Sequence, residues 1–123
     1  MEELPPQLRH QIAQFQQVQQ QAQALTLQKQ QLLDLLHGTE RALEELDKLE
    51  EGATVYKSIG GILIKAGRDD VKKELTERKE TLDLRIKTIE RQEGRVIERL
   101  REMRDKLQEA LKARQPPGSE AAQ

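Results

Sequence analysis

The sequence predicts a mainly α protein: two long helices paired antiparallel as a coiled coil, with one β-hairpin between them. Three observations carry this prediction. Apolar residues recur at alternating spacings of three and four through two long stretches. Between those stretches, two β-branched runs meet at Gly60-Gly61. The composition is 35% charged and 2% aromatic, with one Phe, one Tyr and no Trp. Burial must therefore come from Leu, Ile and Val in a thin seam, not from an aromatic-filled core. So polar a chain could also be disordered; sustained periodicity decides for helix.

The first helix is expected over residues 4–51. Leu4-Pro5-Pro6 opens it, and proline suits the first turn, where its missing N–H has no partner to lose. The seam then runs through Leu8, Gln11, Phe15, Val18, Ala22, Leu25, Lys29, Leu32, Leu36, Thr39, Leu43 and Leu46. Leu4, Ile12, Leu33, Leu35 and Leu49 flank that line and are expected to widen it. Glutamines between residues 7 and 31 keep the outer face polar and helical. Gly52 is the expected stop.

The connector, residues 54–66, reads as a hairpin. Thr54 to Ile59 and Ile62 to Lys65 flank a two-glycine turn, and a two-residue primed turn needs positive φ at both central positions. Ile59 then pairs with Ile62, Ser58 with Leu63 and Lys57 with Ile64. One face carries Val55, Ile59, Ile62 and Ile64; the other carries Tyr56 and Leu63. A lone hairpin is marginal in water and leaves two unpaired edges. Nothing else in the chain can cover both faces. The reading is an obligate oligomer, in which hairpins of several subunits build a shared sheet or barrel through Val55, Tyr56, Ile59, Ile62, Leu63 and Ile64.

The second helix is expected over residues 69–115, with Asp69 or Asp70 accepting the free N–H groups of its first turn. Its seam is Leu75, Lys79, Leu82, Ile86, Ile89, Glu93, Val96, Leu100, Met103, Leu107 and Ala110. Glu74/Arg78, Asp83/Lys87 and Glu102/Lys106 have the favourable i,i+4 order. The helix should fray by Pro116-Pro117, leaving residues 116–123 as a disordered tail. Each helix spans roughly 65–70 Å at 1.5 Å per residue. Equal lengths suit an antiparallel pair in which facing residue numbers add to about 120, so that apolar meets apolar throughout. Gly38 and Gly94 read as tolerated soft points that do not face each other.

Several functions are excluded or disfavoured. The net charge is −1, which gives no global pull toward nucleic acid or anionic lipid. The halves differ: residues 1–52 carry 4 basic and 9 acidic side chains, residues 53–123 carry 17 and 13. Opposite signs favour pairing between the helices. Arg91, Arg95 and Arg99 share a helix face, but Glu90, Glu93 and Glu98 are interleaved and no aromatics stand ready for base stacking. There is no cysteine, which removes disulfide and thiolate chemistry and fits the cytoplasm. No apolar run reaches the length of a membrane span, and MEELPPQL lacks the blocks of a signal peptide. His10 and His37 lie too far apart on one helix to share a metal. The carboxylates have no cleft to separate their pKa values. Gly60-Gly61 lacks the Lys-Ser/Thr of a phosphate loop. No catalytic residue, metal or cofactor is expected, and the chain is not read as an enzyme.

What remains is the open end of the helix pair. Leu4, Leu8, Ile12 and Phe15 gather there with Met103, Leu107 and Leu111. Leu4, Leu8, Ile12 and Phe15 do not all fit one a/d line, a surplus that suits transient capture of apolar segments. Equally, they could simply close the seam.

The residues also carry a resemblance. Ala42-Leu43-Glu44-Glu45-Leu46-Asp47, the block Val55-Tyr56-Lys57-Ser58-Ile59-Gly60-Gly61-Ile62-Leu63-Ile64, the Leu4-Pro5-Pro6-Gln7 opening and Ile89-Glu90-Arg91-Gln92-Glu93 resemble the β-type subunit of archaeal prefoldin. The likeness covers about residues 4–112, and a single hairpin matches the β class, since the α class carries two. It implies a hexamer of two α-type and four β-type subunits, with hairpins forming a double β-barrel platform and coiled coils hanging as arms. It implies a holdase that needs no ATP, holds non-native client proteins at its tips and passes them to a group II chaperonin. Carried over by position, client contact would fall on Leu4, Leu8, Ile12, Phe15, Leu107 and Leu111. The alternative is a coiled-coil scaffold or tether with fixed partners, which would want polar, specific tips.

Overall fold

A computed structural model describes residues 4–114. Its elements run α1 (Pro6–Asp47), β1 (Thr54–Ile59), β2 (Ile62–Gly67) and α2 (Arg68–Ala113). The expected tail over 116–123 lies outside the described residues. The chain divides into two compact units, Gln28–Glu90 and Met1–Leu27 with Arg91–Gln123.

The unit Gln28–Glu90 holds the hairpin and the helix segments that lead into and out of it. Its core is Leu32, Leu82 and Ile86, all buried, with Leu33, Leu36 and Ile89 packed against them. Charge pairs fix the register across the seam: Lys79 reaches Glu40 at 3.6 Å and Lys72 reaches Asp47 at 2.8 Å. Each pair adds to 119, one residue from the register expected. Basic α2 thus meets acidic α1, as the charge asymmetry implied. Among the described residues Thr39 is the one buried polar residue, and its Oγ1 donates to the Leu35 carbonyl at 2.8 Å. Its hydroxyl is satisfied locally, so it occupies a seam position without a desolvation penalty.

In the other unit, the Thr26 hydroxyl donates to Glu93 Oε2 at 2.9 Å, again a pair adding to 119. Leu8 and Val18 are buried here. Phe15, Ala22 and Leu25 on α1 are half-buried, as are Val96, Leu100, Met103 and Leu107 on α2.

Three local expectations need correction. The first helix ends at Asp47, not at residue 51. Its last turn tightens, with Lys48 and Leu49 amides donating to the carbonyls of Glu45 and Leu46, and Gly52 takes φ +83 in the loop beyond. The second helix starts at Arg68, which puts Asp69 and Asp70 inside the first turn and not before it. Asp70 folds back over Gly67, where an added Cβ would meet its Oδ2 at 3.2 Å. Leu35 and Leu49 do not widen the seam: both are exposed. Leu35 is apolar but out of phase with the buried line.

Candidate binding surfaces

The hairpin is antiparallel, with Thr54 opposite Gly67, Lys57 opposite Ile64, Ser58 opposite Leu63 and Ile59 opposite Ile62. Gly60 and Gly61 take φ +56 and +84, which is the pair of left-handed residues that a type I′ turn requires. Opposed residues share a face. One face therefore carries Val55, Lys57, Ile59, Ile62, Ile64 and Ala66, and the other carries Tyr56, Ser58, Leu63 and Lys65.

Both faces are open. Tyr56 is 63% exposed, Ile59 50%, Ile62 65%, Leu63 70% and Ile64 46%; Val55 is half-buried. Five large apolar side chains thus lie together on twelve residues of strand. Scattered exposed leucines are ordinary on a protein surface, whereas a contiguous group marks an interaction site.

Two residues that the sequence reading passed over set the hairpin against the helices. Lys57 pairs with Glu74, so Glu74 faces the strand and not Arg78. Arg68 Nε donates to the Leu46 carbonyl at 2.9 Å, and its Nη1 lies 3.0 Å from Asp69 Oδ1. The guanidinium so places a cation at the negative end of α1 and gives the Leu46 carbonyl a second donor beside the Leu49 amide. Nearby, Lys72 hydrogen-bonds Asp47, and this bond, the lysine charge and the Arg68 charge hold the Asp47 carboxyl below the usual aspartate range. Lys57 left a signal in the sequence: a cation between Val55 and Ile59 on an apolar strand face calls for a partner. Arg68 left none, because its acceptor is a backbone carbonyl 22 residues away.

At the open end, Leu8 is 5% exposed and belongs to the seam. Leu4, Ile12, Phe15 and Leu107 are half-buried, and Leu111 is 43% exposed. The Thr26–Glu93 register, carried along this unit, sets Ile12 opposite Leu107 and Leu8 opposite Leu111. The seam therefore closes on Leu8 while an apolar rim stays accessible around it.

Among the described residues, no group of three or more His, Cys, Asp and Glu is placed to hold a metal ion. Among the same residues, no helix is long and apolar enough to cross a membrane.

Comparison with known proteins agrees with this architecture. The family described as "Prefoldin subunit" matches residues 9–114. A prefoldin subunit beta of Archaeoglobus fulgidus is 52% identical over 111 residues, covering 90% of this chain and 96% of that one. One from Methanocella arvoryzae is 54% identical over 118 residues, covering 96% and 94%. The crystal structure of the prefoldin beta subunit from Thermococcus strain KS-1 superposes with a TM-score of 0.82 at 37% identity, covering 94% of this chain and all of that one.

Proposed function

This chain belongs to the prefoldin family of chaperones, and from that premise we propose that it is an ATP-independent holdase subunit of the β type. In this reading it assembles with an α-type subunit through its hairpin, two α and four β to a hexamer. It works in the cytoplasm, without catalysis or cofactor, and hands non-native clients to a group II chaperonin.

The observation that supports assembly is the open hairpin, on which Tyr56, Ile59, Ile62, Leu63 and Ile64 stay exposed among the described residues. Client capture is assigned to the open end. Leu4, Ile12, Phe15, Leu107 and Leu111 supply the accessible rim, and Leu8 lies behind them in the seam. Half-buried side chains at the edge of a two-helix seam can repack around varied apolar segments without unfolding the arm. Burial of Leu8 favours the rival reading, a tether with fixed partners, because it removes one apolar side chain from the accessible set.

Trimming residues 1–15 and 104–123 separates the two. The trimmed chain, still assembled, is expected to lose suppression of aggregation of an unfolded test protein. Protection equal to that of the full chain would refute capture at the tips and leave the tether reading.

A further inference from the structure

The unit Gln28–Glu90 carries a crevice on the flank of the seam. Leu82 and Thr39 form its buried floor, Leu35 and Thr81 its walls, and Arg78 and Arg85 stand along its rim. Leu35 is 59% exposed, so the slot presents apolar surface to solvent. Neither arginine has a carboxylate partner among the described residues, and neither holds an interaction beyond those described. The sequence explains why. Glu74, one turn before Arg78, is engaged by Lys57. Arg85 has Thr81 one turn before it and Ile89 one turn after. The crevice is also continuous with the hairpin: Arg78 lines a second depression together with Lys57, Ile59, Glu74 and Leu75. A chain docked on the hairpin face at Ile59 would therefore lie alongside it.

The occupant this slot fits has one apolar side chain flanked by carboxylates. The chain itself displays that chemistry at the corner after α1. Leu49 is exposed there, followed by exposed Glu50 and Glu51. The corner sets two carboxylates beside one exposed apolar side chain, as the crevice sets two arginines beside Leu35. We propose that the Leu35–Leu82 crevice receives the Leu49-Glu50-Glu51 corner of a second copy of this chain. The contact supplements the hairpin and rests on assembly through it, since the hairpin brings the second chain alongside. It also gives the two unpaired arginines acidic partners of matching number, which orients one copy against the next.

The absence of cysteine makes the test direct. Full-length Leu49→Cys and Thr81→Cys chains, with different tags, are mixed, assembled alone and with the α-type subunit, and oxidised. A disulfide between the two tags is expected in about tenfold excess over the yield with Leu27→Cys, another exposed position but in the other unit, in place of Thr81→Cys. Adding Arg78→Glu and Arg85→Glu to the Thr81→Cys chain should remove the excess. Glu50→Lys and Glu51→Lys on the opposite chain should restore it, a rescue that mere proximity would not produce. A yield no better than the Leu27→Cys control, or capture of a client chain by Thr81→Cys in place of the second copy, would overturn the proposal. Failure of hairpin assembly has its own signature: Ile59→Asp with Ile62→Asp would then leave the native mass unchanged. An oligomer that dissolves with that variant, yet shows no excess disulfide when its hairpin is intact, refutes the corner contact alone.

Discussion

Replacing Ile59 and Ile62 together with Asp tests whether the hairpin holds the assembly. These two residues face each other across the strands and are 50% and 65% exposed. The surface still open on the pair is a little more than one whole isoleucine side chain. Burying it in an assembly contributes about 2–3 kcal/mol per hairpin, taking roughly 1.5–3 kcal/mol for one complete aliphatic side chain. Its loss weakens association about 30- to 140-fold at 1.4 kcal/mol per factor of ten. The introduced carboxylates add a desolvation cost in the same direction. The helices need not feel this change, because the hairpin side chains are not part of the Leu32–Leu82–Ile86 core. Sedimentation velocity should therefore show loss of the oligomer, while circular dichroism shows helix content unchanged. Leu84→Asp is the control: Leu84 is 64% exposed, as open as Ile62, but it lies on α2 outside the hairpin, and its mass should match the parent. An Ile59→Asp, Ile62→Asp chain that sediments like the parent would refute the reasoning. So would a Leu84→Asp chain that dissociates equally, because exposure and not placement would then decide.

Further outcomes concern the fold itself. Ile86→Ala, at a buried core position, should cost about 2–4 kcal/mol in urea unfolding, whereas Leu35→Ala, exposed, should stay within about 0.5 kcal/mol. Gly38→Ala should raise stability by about 1 kcal/mol, because an added Cβ meets nothing within 4 Å. Gly61→Ala, at φ +84, should lower it by about 1–2 kcal/mol despite equally open space, read in the same unfolding curve. Asp47 is held in its charged form by Lys72. Its folded pKa lies below its unfolded one, so its contribution is complete above the ordinary aspartate range and vanishes as pH falls through the folded value. Asp47→Asn should flatten that part of the acid limb in a thermal-melt series against pH; an unchanged acid limb would contradict the Lys72 pairing.

The fold was legible because a coiled-coil seam is a geometric statement before it is a chemical one. Gln11, Lys29, Lys79 and Glu93 are not apolar, yet the spacing assigned them to the seam and the structure half-buries each of them. Position in the repeat fixes which way a residue faces; chemistry then adjusts, with Thr39 bonding its own helix and Lys79 reaching Glu40. The turn was legible for a similar reason, since Gly-Gly is one of the few pairs that adopt φ +56 and +84 in succession without strain. Spacing failed where tertiary contacts decide. Leu49 continues the three-four pattern past Leu46, but the helix has already closed. Its end is fixed by Gly52 and by Arg68, which comes from beyond the hairpin to take the Leu46 carbonyl. No local pattern encodes that bond.

The same distinction governs the binding surfaces. Hydrophobic spacing predicts a side chain's direction along one helix, and so every residue of the two predicted a/d lines is buried or half-buried. It cannot predict how much of a seam residue stays uncovered at an open end, because that depends on the facing helix. Leu8 and Leu111 were both read as tip residues; opposite each other across the seam, one is buried and the other remains 43% exposed. The hairpin escapes this ambiguity, since among the described residues no element faces its two strands to cover Tyr56 and Leu63. Exposure there follows from topology. The strongest functional inference available from the sequence therefore concerned assembly, while the identity of the capturing side chains waited on the helix packing.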